Sequence, residues 1–219
     1  KTFANVDAVP IALKTQDPYE IIEIVRVLAP SFGGFCLESI AAPKCFTIEN
    51  RIRSAVRVSV LHHENHASGI IVLAALYNAL KVVGKSLKDV RVVINGAGAA
   101  GTGVAKGLVV AGNNNIVICD RLGALRVYRT VGMDWAKSEI ARLVSPQNVK
   151  GSLAEVIRGA DVFIGLSAGG LVNREMVASM AKDPIVFALA LPEPEISEAE
   201  AQAGGARVVA TGQADSENQ

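Results

Sequence analysis

Short apolar runs alternate with amphipathic segments along most of the chain. The runs consist of consecutive apolar residues, which is typical of strands that are covered on both faces of a sheet. The segments between them repeat their apolar residues at helical spacing. The runs lie at residues 90–95, 116–120, 162–165, 185–189 and 206–210, and the helical segments lie at 99–111, 134–143 and 173–180. This pattern predicts an α/β fold with a doubly wound, mostly parallel sheet.

The first third of the chain has a similar pattern with weaker signals. An apolar run at residues 6–13 predicts a strand-like segment. A helix is expected after it, because Asp17 can cap it, Pro18 suits its first position and Glu20 can close a capping box. Two short strands are expected at residues 35–37 and 58–61, a helix at 44–56 and a long small-residue helix at 66–83. We place a domain boundary near residue 66, where this long helix begins.

Composition and charge narrow the class of protein. Half of the 219 residues are hydrophobic, a fifth are charged, and the net charge is +1 without a basic stripe. This balance argues against a nucleic-acid partner and favours a small-molecule substrate. We expect no membrane association and a cytoplasmic protein, because no apolar run has the length of a membrane span and no signal segment is present. Cys36, Cys45 and Cys119 lack paired spacing and are expected to be small buried hydrophobes rather than metal ligands.

Three glycines stand between a predicted strand and a predicted helix, in the order G-x-G-x-x-G. Gly96 would permit the tight turn, Gly98 would let the backbone approach a pyrophosphate, and Gly101 would allow the helix to pack closely on the sheet. The free N–H groups at the helix N-terminus would then face the anion. The sequence therefore predicts a Rossmann-type dinucleotide site formed by Asn95, Gly96, Gly98, Ala99, Ala100 and Gly101.

Two further segments belong to the predicted dinucleotide site. Asp120 ends the next strand about 20 residues past the glycines, where the adenine ribose would present its hydroxyls. Arg121 leaves the choice between NAD and NADP open, because it could accept a 2′-phosphate. A second glycine-rich loop, at residues 165–170, contains Ser167 and Ala168, which we expect at the same sheet edge. An ordinary turn is an equally good interpretation of this loop.

Polar residues also follow two of the earlier predicted strands. Glu38 ends one strand, and residues 62–66, His-His-Glu-Asn-His, end the other. Carboxylates from separate strand ends can converge on a hard cation such as Mg²⁺ or Mn²⁺. Two alternatives remain open: a softer metal such as Zn²⁺ bound by His63 and Glu64, or polar residues at strand ends that bind no metal.

These residues resemble malic enzymes of the bacterial type, and the resemblance covers nearly the whole chain. It implies oxidative decarboxylation of malate to pyruvate and CO₂, with reduction of NAD or NADP and a bound Mg²⁺ or Mn²⁺. It also implies that residues 1–65 are the C-terminal part of a substrate- and metal-binding domain and that residues 66–219 are the dinucleotide-binding domain. The segments that carry the resemblance are FANVDAVPIAL, LAPSFGGFCLESIAAPKCF, VLHHENHASGIIVLAALYNALKVVGKSLKDVRVVINGAGAAG, GSLAEVIRGADVFIGLSAGGLV, MAKDPIVFALALPEPE and ARVVATG.

The resemblance also shows where this chain departs from the family. Glu38 and Glu64 match two metal-ligating carboxylates, but Ser39 stands where the family has a third, an Asp. Leu191 replaces an Asn that faces substrate and nicotinamide in the family. The alternative to an active enzyme is therefore a catalytically impaired NAD(P)-binding module on the same scaffold.

The ends of the chain suggest a piece of a longer protein. It begins at Lys1 and ends in a polar segment at Gln219. The family's catalytic Tyr and Lys would precede Lys1, which itself matches a lysine just after the catalytic one. No residue of this chain is therefore assigned as the catalytic acid or base, and the activity of this chain by itself stays open. The resemblance further implies a homo-dimer or a higher homo-oligomer.

Overall fold

The computed structural model describes residues 4–144 and 148–219, so Lys1 lies outside the described residues. Eight α-helices and eight strands are present among the described residues. The helices are α1 (Pro18–Leu28), α2 (Lys44–Ala55), α3 (Ser68–Val83), α4 (Ala99–Val110), α5 (Trp135–Val144), α6 (Leu153–Val156), α7 (Arg174–Ala178) and α8 (Glu198–Ala203). The strands are β1 (Gly34–Leu37), β2 (Ser59–His62), β3 (Val92–Asn95), β4 (Ile116–Asp120), β5 (Gly123–Ala124), β6 (Val162–Gly165), β7 (Ile185–Ala188) and β8 (Val208–Thr211).

Six of the strands form one sheet in the order β5-β4-β3-β6-β7-β8. Every pair is parallel except β4 with β5, which is antiparallel. The chain leaves β3 towards β4 and then returns to the other side of β3 through β6. The order of strands therefore reverses between β3 and β6, and ligands of such sheets bind at this reversal. The predicted α/β fold with a mostly parallel sheet is confirmed.

Apolar side chains cover both faces of this sheet. On one face, Val92 and Ile94 of β3 pack in a cluster with α3 and α4. On the other face, Val93 of β3 packs in a second cluster with residues around α6, α7 and α8. Successive residues of a strand point to opposite faces, which explains why the central strands consist of consecutive apolar residues.

Residues 17–62 form a smaller α/β unit. Strands β1 and β2 are parallel, with Leu37 opposite His62, and pack against α1 and α2. Asp17 caps α1 by accepting the N–H groups of Tyr19 and Glu20, as predicted. The capping box is only half formed, because the N–H of Asp17 donates to Thr15 Oγ1 instead of to Glu20.

Two expectations about apolar segments were wrong. Residues 6–13 form no strand, and Val6 and Val9 are exposed, because no strand within the described part of the chain offers them a ladder of hydrogen bonds. The sequence also predicted no apolar run with the length of a membrane span, but the 21-residue helical stretch His63–Val83 contains an 18-residue window with a mean hydropathy of 1.5, and so meets the length and composition of such a span. One such helix is weak evidence for a membrane, and here Val72, Leu76 and Leu80 pack into the core beneath the sheet.

Candidate functional site

The first glycine loop joins β3 to α4 and has the tight geometry that the sequence predicted. Gly96 has a φ of +127°, which side chains rarely adopt. A Cβ on Gly101 would lie 1.7 Å from the carbonyl oxygen of Gly96, so only glycine permits this turn to fold back on the helix. Both glycines are therefore required by the backbone itself.

Gly98 differs from its neighbours, because the space around it is free. A Cβ at this position would meet no atom within 4 Å. Gly98 is the N-cap of α4, and no side chain caps the helix there. Ala99, Ala100 and Gly101 form the first turn, whose N–H groups carry the positive end of the helix dipole. A concave backbone surface without side chains fits the pyrophosphate of a dinucleotide.

The second glycine loop lies directly beside the first. The N–H of Leu166 donates to the carbonyl oxygen of Asn95 over 2.8 Å. Asn95 is buried, and its side-chain Nδ2 has no hydrogen-bond partner among the described residues. Ser167 and Ala168 follow as exposed residues of the same loop. The two loops thus lie side by side at the same sheet edge, as the sequence predicted, and this edge is where the strand order reverses.

Glu195 holds the second loop in place, and the sequence analysis did not predict this role. Its carboxylate is fully buried and accepts the N–H groups of Ser167 over 2.9 Å and of Ala190 over 3.1 Å. A Cβ on Gly165 would lie 2.2 Å from the Glu195 carboxyl carbon, so glycine is needed there. The sequence gives no signal for this role, because Glu193 and Glu195 both occur in the same proline-rich segment and only the fold shows which of them is buried.

Asp120 lies at the end of β4, but its carboxylate is already engaged. Arg129 and Lys137 both contact Oδ2, and the N–H of Leu122 donates to Oδ1 over 2.9 Å. Burial alone would raise the pKa of Asp120, but these hydrogen bonds outweigh it and hold the pKa below its usual value. Arg121 is exposed beside this group. The end of β4, where the adenine ribose is predicted to lie, therefore carries more cationic charge than the sequence motif indicates.

The predicted metal-ligating residues occupy different surroundings. Glu64 Oε1 accepts the N–H of Ser39 over 2.8 Å, and Glu64 Oε2 lies 3.4 Å from Nε2 of the buried His62. Glu64 Oε2 and His62 Nε2 both lack a hydrogen-bond partner among the described residues. Glu38 is exposed and lies instead beside His63, with 3.7 Å between Oε1 and Nδ1.

Cys36 forms a cluster with Glu38 and His63, and the prediction that Cys36 is buried was wrong. Its side chain is exposed, whereas Cys45 and Cys119 are buried. Cys36 and Glu38 are two residues apart at the end of one strand, so they point to the same side, away from the core. Residual burial and then the carboxylates of Glu38 and Glu64 raise the pKa of the Cys36 thiol, so the local potential is negative.

A π-helical segment, His63–Ala67, lies between the cluster of Cys36, Glu38 and His63 and helix α4, whose N-terminus belongs to the predicted dinucleotide site. Its position is fixed on one side by Glu49 of α2, whose buried carboxylate contacts His66 and Asn65. On the other side it packs against α4, where a Cβ on Gly103 would lie 1.9 Å from the Asn65 carbonyl oxygen. One helix therefore contacts both predicted sites, the dinucleotide site at its N-terminus and this segment at its middle.

Leu191 lies in the position where the resemblance implied an Asn. Its side chain is exposed at the end of β7, and Ala190 before it is buried. An exposed apolar side chain there offers contact area but neither a donor nor an acceptor to a ligand.

The chain is similar to malic enzymes in both sequence and structure. Residues 66–215 match the family model described as the NAD binding domain of malic enzyme. The chain is 49% identical over its whole length to the bifunctional malic/malolactic enzyme of Bacillus subtilis and to the NAD-dependent malic enzyme of Geobacillus stearothermophilus. It covers 53% and 45% of those two proteins, so it spans about half the length of these relatives. A crystal structure of the NAD-dependent malic enzyme from Thermotoga maritima superposes on the whole chain with a TM-score of 0.96 at 42% identity, and 58% of that chain is covered.

Proposed function

This chain belongs to the malic enzyme family, and we propose that the protein oxidatively decarboxylates malate, or a closely related hydroxyacid, with NAD or NADP as the oxidant. In the proposed reaction malate loses a hydride to the coenzyme and then CO₂, which leaves pyruvate and the reduced coenzyme.

The observation that carries the proposal is the pair of glycine loops at the strand-order reversal. Gly98 leaves an open approach to the N-terminus of α4, and Glu195 fixes the neighbouring loop. The proposed contacts are backbone N–H groups of residues 98–101 to the pyrophosphate and the loop of Ser167 and Ala168 to the nicotinamide half. When bound, the nicotinamide ring accepts the hydride.

The choice between NAD and NADP depends on the charged side chains at the end of β4, where the adenine ribose would bind. Asp120 selects a free 2′-hydroxyl when its carboxylate is available to accept a hydrogen bond. Here Arg129 and Lys137 contact that carboxylate, and Arg121 is free to approach a phosphate. We therefore propose that NADP binds at least as well as NAD.

Glu38 and Glu64 remain the predicted ligands of a divalent cation on the substrate side. The groups nearest to Glu38, however, are a thiol and an imidazole. Glu64 Oε1 accepts the N–H of Ser39, and its Oε2 lies 3.4 Å from Nε2 of the buried His62. This set of donors does not fit the oxygen ligands that Mg²⁺ prefers.

The second candidate function is dinucleotide binding without turnover. It is favoured by the exposed Leu191, which replaces a polar contact in the predicted substrate pocket, and by Ser39, which supplies no carboxylate. Both candidates predict coenzyme binding, and only the first predicts that malate reduces the coenzyme.

We further propose that the protein is a cytoplasmic homo-dimer or higher homo-oligomer. Large apolar side chains along one side of α3, among them Ile70, Ile71 and Val82, are exposed and would be covered by a second copy. A mass measured by light scattering should be at least twice that of one polypeptide, and a monomeric mass at micromolar concentration contradicts the proposal.

Turnover of malate by the full-length protein separates the two candidate functions. We expect malate and a divalent metal to raise the absorbance of reduced nicotinamide, with one CO₂ released for each coenzyme reduced. Bound coenzyme without any reduction favours the binding module. Absence of coenzyme binding contradicts both candidates.

A further inference from the structure

Three side chains with different metal-binding atoms meet at the end of the small sheet. Cys36 lies in β1, Glu38 follows β1, and His63 follows β2. Leu37 pairs with His62 in the ladder, so the next residues along the two strands, Glu38 and His63, are also neighbours. The register of two parallel strands thus brings a thiol, a carboxylate and an imidazole together.

The distances within this cluster suit a single metal ion. Glu38 Oε1 lies 3.7 Å from His63 Nδ1 and 4.0 Å from Cys36 Sγ, and all three donor atoms lie within 4.8 Å of one another. In a tetrahedral zinc site, with bonds of about 2.0 to 2.3 Å, ligand atoms are about 3.3 to 3.7 Å apart. Small side-chain rotations would close the remaining difference, because all three side chains are exposed.

We propose that Cys36, Glu38 and His63 form a binding site for a borderline transition metal of the Zn²⁺ and Co²⁺ class, in preference to Mg²⁺. Sulfur and imidazole nitrogen favour such metals, whereas Mg²⁺ selects oxygen ligands. A thiolate and a carboxylate together balance the charge of a divalent ion. Three protein ligands leave a fourth position for water or a substrate oxygen, as in catalytic rather than structural zinc sites.

Glu64 is outside this set of donors. It is the carboxylate that the sequence offered as a metal ligand together with His63, but its Oε1 accepts a hydrogen bond from the Ser39 N–H and its Oε2 is buried beside Nε2 of His62. Ser39 itself supplies no carboxylate to build an oxygen-only site. The inference concerns which metal is bound, and it rests on the proposed function only for the role that this metal would have beside the coenzyme.

Titration of the metal-free, full-length protein with Co²⁺ tests the proposal. We expect visible bands of tetrahedral cobalt together with a near-ultraviolet thiolate-to-cobalt charge-transfer band, both removed by equimolar Zn²⁺ but not by a large excess of Mg²⁺. Cys36→Ser should abolish the charge-transfer band and weaken Co²⁺ binding by more than about 100-fold, since even indirect partners of a metal change affinity by 10- to 100-fold.

Two further variants control this experiment. Cys45→Ala removes a buried thiol outside the cluster and should keep the charge-transfer band. Ser39→Asp adds a carboxylate next to Glu38 and should raise the affinity for Mn²⁺ relative to Co²⁺. Thermal unfolding of each metal-free variant identifies any that fail to fold, and His63→Gln then replaces Cys36→Ser as the variant expected to lose Co²⁺ affinity.

The outcomes separate this inference from the proposed function. No charge-transfer band in the wild-type protein, a band that persists in Cys36→Ser, or displacement of Co²⁺ by equimolar Mg²⁺ overturns the metal site. Malate oxidation with Mg²⁺ alone and no such band leaves the proposed function in place without this site. A cobalt–thiolate band without malate oxidation supports the metal site and contradicts the proposed function.

Discussion

Asp120 shows how a residue expected to bind a ligand can also hold the fold together. Its partly buried carboxylate joins the end of β4 to Arg129 and to Lys137 of α5. Asp120→Asn would leave two cations without their counter-charge, so we expect it to lower the free energy of unfolding by about 3 kcal/mol at pH 7. Urea denaturation measures the loss.

The pH dependence of that loss follows from the lowered pKa of Asp120. A depressed pKa in the folded state adds stability above the unfolded-state value, about 3.9, and this stability disappears as the pH falls through the folded-state pKa. The difference in unfolding free energy between wild type and Asp120→Asn should therefore be largest at pH 7 and shrink below about pH 4.

Glu139→Gln is the control variant, because it breaks the exposed ion pair with Lys106. It should lower the free energy of unfolding by less than about 1 kcal/mol. Equal losses in the two variants would contradict the structural role of Asp120.

Arg121 provides a test of coenzyme choice at the same place. It is exposed and has no ion-pair partner within the described part of the chain. Arg121→Ala should raise the Kd for NADP by about tenfold, typical of a lost charge-assisted contact, and change the Kd for NAD much less. Arg26→Ala on α1, outside the larger sheet, is the control and should alter neither value. A parallel loss for both coenzymes would remove Arg121 from the phosphate site.

At the scale of elements, α4 connects the two halves of the candidate site. Its N-terminus forms part of the predicted dinucleotide site, and its Gly103 touches the segment that follows β2. The close approach at Gly103 was not predictable, because a glycine within a helical sequence does not indicate which distant residue packs against it.

Two glycines of α4 make a matched pair for testing that connection. A Cβ on Gly103 would overlap the Asn65 carbonyl, so Gly103→Ala should destabilise the protein by about 1 to 3 kcal/mol and weaken metal binding. A Cβ on Gly107 would only reach ordinary contact with Gly69, so Gly107→Ala should be neutral or stabilise by up to about 1 kcal/mol. Chemical denaturation measures both, and equal stabilities would disprove close packing at Gly103.

At the scale of the molecule, the sequence predicted what depends on local pattern. The central strands, the glycine turn at Gly96 and the cap at Asp17 follow from apolar runs and from residues with special backbone or capping properties. Contacts between distant segments were not predictable. Glu195 is opposite Gly165 only after two strands pair, and Cys36 meets His63 only through the register of β1 and β2. The run at residues 6–13 failed as a strand because periodicity does not supply a partner strand.

The loop between β3 and α4 is proposed to bind a dinucleotide through bare backbone at Gly98. Calorimetric titration of the full-length protein with NAD and with NADP tests this claim most directly, using Gly98→Ala and the control Gly33→Ala. Both positions have open space around a Cβ, so both variants should fold and melt like the wild type. We expect saturable binding in the wild type and in Gly33→Ala, and a loss of affinity of about tenfold or more in Gly98→Ala, where the Cβ would meet the pyrophosphate. Unchanged affinity in Gly98→Ala, or no binding by the wild-type protein, would contradict the account.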